Sequence, residues 1–199
     1  MPAEIFLIVP DDVDPASFPD ALQAVLTGTT CPALLLQRGG LSENAYKSLA
    51  KAIIPVAQQA GTAVLVEGEP GLVRLLGADG LHVSGSAAAV REAVEVLKPD
   101  LIVGAAGIGS RHDAMTKGEL EVDYVFFGSP GGTQAEDREI AAWWAQTMEV
   151  PAVLCEPGAE PEAVDPLGCE FIALGRNIWD NAAGPGQALS AAARRLESL

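Results

Sequence analysis

Short apolar runs alternate with amphipathic stretches along the whole chain. The runs at residues 5–9, 33–36, 63–66, 81–83, 101–103, 124–127, 152–155 and 171–174 predict eight strands, beginning near residues 4, 33, 63, 79, 101, 123, 152 and 170. Ala33-Leu34-Leu35-Leu36, followed by Gln37, has no polar interruption, as a parallel strand buried on both faces requires. The intervening stretches have helical spacing. A helix over 18–26 precedes the second strand. Ser42 caps a helix in which Leu49, Ile53, Val56, Ala57 and Ala60 recur until Gly61 stops it, and Ser86 caps one whose Val90, Val94 and Leu97 share a face. A helix over 110–118 leads to the sixth strand. Thr133 and Glu136 form a capping box opening a helix that packs Ile140, Trp143 and Trp144 on the sheet, and a weak helical turn covers 160–163. A helix over 187–196 closes the chain.

One junction recurs three times. Gly77-Ala78-Asp79-Gly80-Leu81-His82-Val83 joins the end of a helix, at a glycine suited to its C-terminus, directly to a buried strand. Glu121-Val122-Asp123-Tyr124-Val125 and Gly168-Cys169-Glu170-Phe171-Ile172 repeat the arrangement of helix end, acid and apolar strand. Eight strands in regular alternation with helical connectors predict a parallel sheet with right-handed crossovers, closed as a compact (β/α)8 TIM barrel in one domain over 1–199. An open doubly wound sheet would want a glycine-rich turn after the first strand, where this chain has Pro10-Asp11-Asp12-Val13-Asp14. In a barrel, chemistry belongs to the loops that follow the strands.

Composition narrows the classes. At 199 residues and 49% hydrophobic the chain can build one large core. A net charge of −15, with twelve Lys and Arg against 27 carboxylates, argues against a nucleic-acid partner. The absence of a long apolar run or a signal-peptide pattern at Met-Pro-Ala-Glu gives the expectation of a cytoplasmic protein with no membrane partner. Cys31, Cys155 and Cys169, odd in number and set among apolar neighbours, read as reduced core thiols.

From Leu35 to Arg176 the chain resembles the thiamine phosphate synthase and thiazole tautomerase superfamily. The resemblance is carried by the Gly77 to Val83 block, Ile102-Val103-Gly104, Asp123-Tyr124-Val125-Phe126-Phe127-Gly128 and Pro151-Ala152-Val153. It implies a compact barrel. It also implies a synthase that joins a pyrimidine pyrophosphate to a thiazole phosphate with magnesium. The family's Gln-x-Arg-x-Lys falls on Leu35, Gln37 and Gly39, its Asn-Asp on Glu67-Gly68, and its later acid near Ala87. The serine after the fifth strand falls at Ala106 or Gly107. The Thr-x-Thr-Lys loop falls on Gly131-Gly132-Thr133-Gln134, and the tautomerase histidine near Ser129. The Gly-Gly phosphate cradle is replaced by Glu156-Pro157-Gly158, and the last serine by Arg176.

The candidate binding residues are therefore Gln37, Arg38, Glu67, His82, Ser84, Ser129, Gly131, Gly132, Thr133, Gly158, Arg176 and Asn177, with no catalytic residue and no metal ligand assigned and no cofactor expected. Arg38, Arg111 and Arg176 stand at loop mouths where a guanidinium could hold an anion or pair with surface acids. The stretches Gly107-Ile108-Gly109-Ser110 and Gly131-Gly132-Thr133 run into helix N-termini that could hold a phosphate. His82, on a strand, reads as a hydrogen-bonded core histidine, and His112 as a surface residue. The first expectation is a divergent barrel that lacks the family's pyrophosphate and magnesium residues, does not carry out the synthase reaction and binds a phosphorylated small molecule, with any anion near Gly158 and Arg176. Two alternatives stay open, an active thiamine phosphate synthase recruiting Arg38, Glu67 and Arg176, and a non-catalytic partner-binding protein. A homodimer is compatible with either.

Overall fold

The structure, a computed structural model, describes residues 2–199. Eight parallel strands close in sequence order into a barrel. They are β1 (Glu4–Val9), β2 (Ala33–Leu36), β3 (Ala63–Val66), β4 (Gly80–Val83), β5 (Ile102–Ala105), β6 (Tyr124–Phe127), β7 (Ala152–Cys155) and β8 (Phe171–Leu174). Closure is direct, with Phe6 beside Ala173 and Leu7 beside Leu174. The helices are α1 (Phe18–Gly28), α2 (Glu43–Gln59), α3 (Pro70–Leu76), α4 (Ala87–Leu97), α5 (Arg111–Gly118), α6 (Ala135–Thr147), α7 (Arg176–Trp179) and α8 (Pro185–Glu197). A single 3-10 turn, Pro161–Ala163, stands in for a helix between β7 and β8.

The predicted strands fall within a residue of their places, and Ser42, Ser86 and Ser110 cap α2, α4 and α5 through their hydroxyls. Three details differ. The capping box of α6 sits one residue later than Thr133 and Glu136. Gln134 is the N-cap and its N–H is held by the Asp137 carboxylate at 2.8 Å. Thr133 instead turns its hydroxyl to the Cys155 carbonyl, tying the loop after β6 to β7. The last helix begins at Pro185, whose fixed φ suits a first turn, rather than at 187. And α7, a helix of four residues that follows β8 after Gly175 alone, had no periodicity to announce it. Its Trp179 donates an indole N–H to the Ile8 carbonyl at 2.8 Å and packs on Phe18, so it pins the end of β8 to β1.

The three repeated junctions share one device. Gly77, Glu121 and Gly168 adopt positive φ (72°, 60° and 89°), which turns the chain back into the sheet. The acid that follows then accepts the backbone N–H of the neighbouring odd-numbered strand. Asp79 takes Val64, Asp123 takes Val103 and Glu170 takes Ala152, at 2.7, 2.8 and 2.8 Å. Strand starts are thus tied in pairs at the barrel's N-terminal end.

Two apolar layers result. Helices pack on the outer sheet face, where Leu7, Leu34, Leu36, Val66, Phe127 and Trp144 are buried. Inside the barrel Phe6, Ile8, Leu35, Leu65, Tyr124, Phe126, Val153 and Ala173 fill the axis. Trp144 donates to the Val150 carbonyl, whereas Trp143 is half-buried under the Arg111 guanidinium. All three cysteines are buried and free. Among the described residues no helix is long and apolar enough to cross a membrane.

Gly104 is required by this interior. A Cβ there would fall within the Tyr124 ring, which lies across β5. We predict that Gly104→Ala lowers stability by about 1–3 kcal/mol, the usual cost of overpacking a filled core. An unchanged urea midpoint would show that the ring moves aside freely.

Candidate active site

The loops after the strands form two unequal hollows. Between the ends of β2, β3 and β4 lies an open cleft of about 620 Å³, lined by Gln37, Arg38, Gly39, Glu67, His82 and Ser84 among others. It brings together five of the sequence candidates. Across the mouth, Ile8, Pro10, Gln37, Pro130, Pro157, Gly175 and Arg176 enclose a crevice of only about 20 Å³. That is room for a water molecule, one probe sphere being roughly 10–15 Å³. The position near Gly158 and Arg176, expected from sequence to hold an anion, adjoins this crevice, which has Arg176 and three prolines in its wall. A further hollow of about 460 Å³, between α1 and α8 at the other end of the barrel, is remote from this mouth.

Glu67 and His82 form the polar floor of the cleft. Glu67 accepts the Arg38 backbone N–H at 2.8 Å, and its own N–H donates to Tyr46. Burial raises its pKa, partly offset by that N–H and the Arg38 charge. His82 is 3% exposed and shares a 2.8 Å hydrogen bond between Nδ1 and the Tyr124 hydroxyl. Its ring also stands edge-on to Phe126. Burial lowers its pKa from 6.5 to about 4, so the imidazole is neutral at physiological pH. Tyr124, buried beside it, is pushed well above its ordinary value.

Elsewhere around the mouth the chain's own carboxylates occupy the places where an anion would bind. Gly39, on which the family's lysine falls, faces Asp11 so closely that a Cβ would collide with its carboxylate. At the N-terminus of α5, Asp113 accepts the Gly109 N–H at 3.1 Å and pairs with Lys117, which also donates to the Ala106 and Gly107 carbonyls. Asp137 does the same work at α6. Ser129 and Gly132 exchange backbone hydrogen bonds, so the Ser129-Pro130-Gly131-Gly132 turn closes on itself.

Beyond β7, Glu156 is clamped by Arg138 through two bonds of 2.5 and 2.8 Å. Asn177 ties the last two loops together, donating to the Glu156 and Ala159 carbonyls and accepting from Gly175. Arg176 stays on the mouth side but pairs with Asp12 at 2.8 Å, Asp180 at 3.5 Å and Asp11 at 3.7 Å. Arg111, expected at the mouth, is stacked on Trp143 instead. Arg38 is exposed in the cleft and takes part in none of the ion pairs among the described residues.

The residues missed from sequence are Asp11, Arg138 and Glu156. The acidic turn after β1 was visible, but its reach to Gly39 depends on the register in which β1 pairs with β2.

A family model described as thiamine monophosphate synthase matches residues 5–178. The chain belongs to this family. It is 33% identical over 196 residues to a thiamine-phosphate synthase of Rhodospirillum centenum, covering 94% of each chain. It is 32% identical to that of Hyphomonas neptunium, over 98% of this chain and 94% of the other. In solved structures, thiamine phosphate pyrophosphorylase from Pyrococcus furiosus superposes with a TM-score of 0.81 at 18% identity, covering 98% and 96%. A 3-hexulose-6-phosphate synthase from Salmonella typhimurium does so with 0.73 at 11%, covering 98% and 100%. At such identities these structures speak for the barrel alone.

The family resemblance implies magnesium, and the residues present do not fit it. Glu67 has one oxygen engaged by Arg38, and the loop after β4 offers Ser84-Gly85-Ser86-Ala87 where an acid is needed. No group of three His, Cys, Asp or Glu side chains among the described residues could hold an ion.

Two predictions follow from the floor and rim. Between pH 6.5 and about 4 the unfolded chain binds a proton at His82 that the folded chain refuses, so stability falls as the pH drops through that window, by up to about 3 kcal/mol. Glu67 acts oppositely, its raised pKa favouring the fold once protonated. Urea unfolding of His82→Gln should show a flatter pH dependence between 6.5 and 4; an equal slope would place the acid sensitivity elsewhere. At the rim, Gly39→Ala should cost about 1–3 kcal/mol, from the collision and from φ +49°. In an Asp11→Gly background, which removes the colliding Cβ as well as the carboxylate, only about 1 kcal/mol should remain, the backbone part. Strict additivity in that double-mutant cycle would rule out the contact.

Proposed function

We propose that this protein performs the reaction of its family, joining a pyrimidine pyrophosphate to a thiazole phosphate to give thiamine phosphate. The observation that supports this most is the match to thiamine-phosphate synthases over nearly the full length of both chains at about a third identity. The replacement residues are Arg38, Arg176 and Glu67. As the C–N bond forms and pyrophosphate departs, negative charge grows on the leaving group. Guanidiniums can take that charge by bidentate contact. Arg38 is free to do so, and the pairs holding Arg176 are half exposed, screened by solvent and readily exchanged. No step is assigned to magnesium, because the carboxylates for it are not here.

A second reading has its own support. The carboxylates of Asp11, Asp113, Asp137 and Glu156 stand at the rim positions that would receive phosphate oxygens. On that reading the barrel binds a phosphorylated small molecule in the cleft beside Arg38 without turning it over.

One assay separates the two. Purified protein supplied with both substrates and magnesium should release thiamine phosphate, and Arg38→Ala and Arg176→Ala should each lower kcat/KM by about 1.5–3 kcal/mol, the value of a charge-assisted hydrogen bond. No product, with phosphorylated thiazole still bound and its affinity reduced by Arg38→Ala, would establish the binder instead.

A further inference from the structure

The barrel is hollow at the end away from its mouth. A cavity of about 260 Å³ lies among the strand starts, walled by Phe6, Leu65, Ile102, Tyr124, Val153 and Phe171. Its cause is a notch in the lowest layer of inward side chains. Ala33 and Ala63 open β2 and β3, are partners in register and both line the cavity. Across the closed barrel they face β6 and β7, which supply Tyr124 and Val153. Two residues on, Leu35 and Leu65 are large and buried, so the shortfall of volume is confined to this layer. The wall offers no free polar side chain. Asp123 is its one charged member, and its oxygens are taken by Lys98 at 2.6 Å and the Val103 N–H at 2.8 Å. Tyr124 turns its hydroxyl away, to His82. Pro32 and Pro151, which complete the collar, bring no N–H, and their carbonyls accept from Ala63 and Val125. Water inside would find few of the two to four polar partners it requires.

We propose that this cavity is a binding site for a small flat aromatic molecule without negative charge, one or two fused rings in size. An apolar cavity of roughly 150 Å³ takes benzene, and the larger volume here leaves room for a second ring. Phe6 and Tyr124 already stand edge to face, with ring centroids 5.5 Å apart, and a ring seated in the notch above Ala33 and Ala63 joins that pair and Phe171. Charge sets the second requirement. Glu4, Asp79, Asp123 and Glu170 stand at the strand starts around the opening, so a carboxylate or phosphate is repelled there. The same acids disfavour a protein cover, because a second copy would set an identical acidic ring against this one. The cavity lies apart from the mouth, and the inference holds whichever reading of the mouth is right.

The test is protein-observed NMR titration with quinoline, which is neutral at physiological pH, and with quinoline-6-carboxylate. Quinoline should bind saturably and shift the resonances of Ala33, Ala63, Ile102 and Phe171. The carboxylate should bind at least roughly tenfold more weakly, an unpaired charge being costly to bury. Ala63→Leu fills the notch from within and should weaken quinoline at least roughly tenfold. Its urea midpoint should be unchanged or higher, because the longer side chain adds apolar burial at a half-buried position. Should that variant fail to fold, Ala33→Leu on the neighbouring strand carries the same expectation. The proposal is overturned by an absence of saturable binding, by equal affinity for the carboxylate, or by quinoline affinity that survives the leucine variants. Shifts confined to Glu67, His82 and Ser84 would place quinoline in the cleft instead, and a dimer that Ala63→Leu dissociates would make a second copy the occupant; either result also overturns it.

Discussion

The hydrogen bond from a strand N–H to the acid that opens the next strand is the constraint on which this barrel depends. At the start of β3, β5 and β7 one N–H, of the first or second residue, has the acid as its partner, and a buried orphan of that kind would cost about 1–3 kcal/mol. Asp79, Asp123 and Glu170 remove that penalty for β3, β5 and β7 with charge-assisted bonds. Each acid is in turn fixed by the left-handed residue two positions before it, which is why the junction can be so short. Register is decided at that end. A slip of one residue would turn every helix-facing Leu and Val into the barrel interior and its neighbour out beneath the helices.

The other end obeys a different rule. Its cations and helix N-termini are satisfied internally, by Asp11, Asp12, Asp113, Asp137 and Glu156. An acidic chain folds with few free cations, and the nearest carboxylate claims each unpaired donor. Arg38 is in none of these pairs, and Glu67 is bound through the backbone N–H of the same residue. The cleft stays open where this pairing stops, between β2 and β4.

What could be read in advance was local. Apolar runs of four, serine caps and the three junctions depend on neighbours in sequence, and the strands lie where those patterns put them. Helix α7 escaped because four residues have no period, and Thr133 was misplaced as a cap because the Cys155 carbonyl, twenty-two residues on, competes for its hydroxyl. The twelve candidate residues divide along the same line. Gln37, Arg38, Glu67, His82 and Ser84 meet in one cleft since adjacent strands in order must present their ends together. The fates of Arg176 and Asn177 turned on partners from other loops, such as Asp12 and Glu156, which spacing along the chain does not encode.

The contact between Gly39 and Asp11 makes the residues of this mouth interdependent. A lysine at position 39 cannot be accommodated while the carboxylate fills the space beyond its Cα, and the left-handed backbone there resists any side chain at all. The carboxylate in turn leans on Arg176, so shortening it loosens a second residue. The rim therefore couples its changes, since a side chain at position 39 requires Asp11 to withdraw and so takes one partner from Arg176.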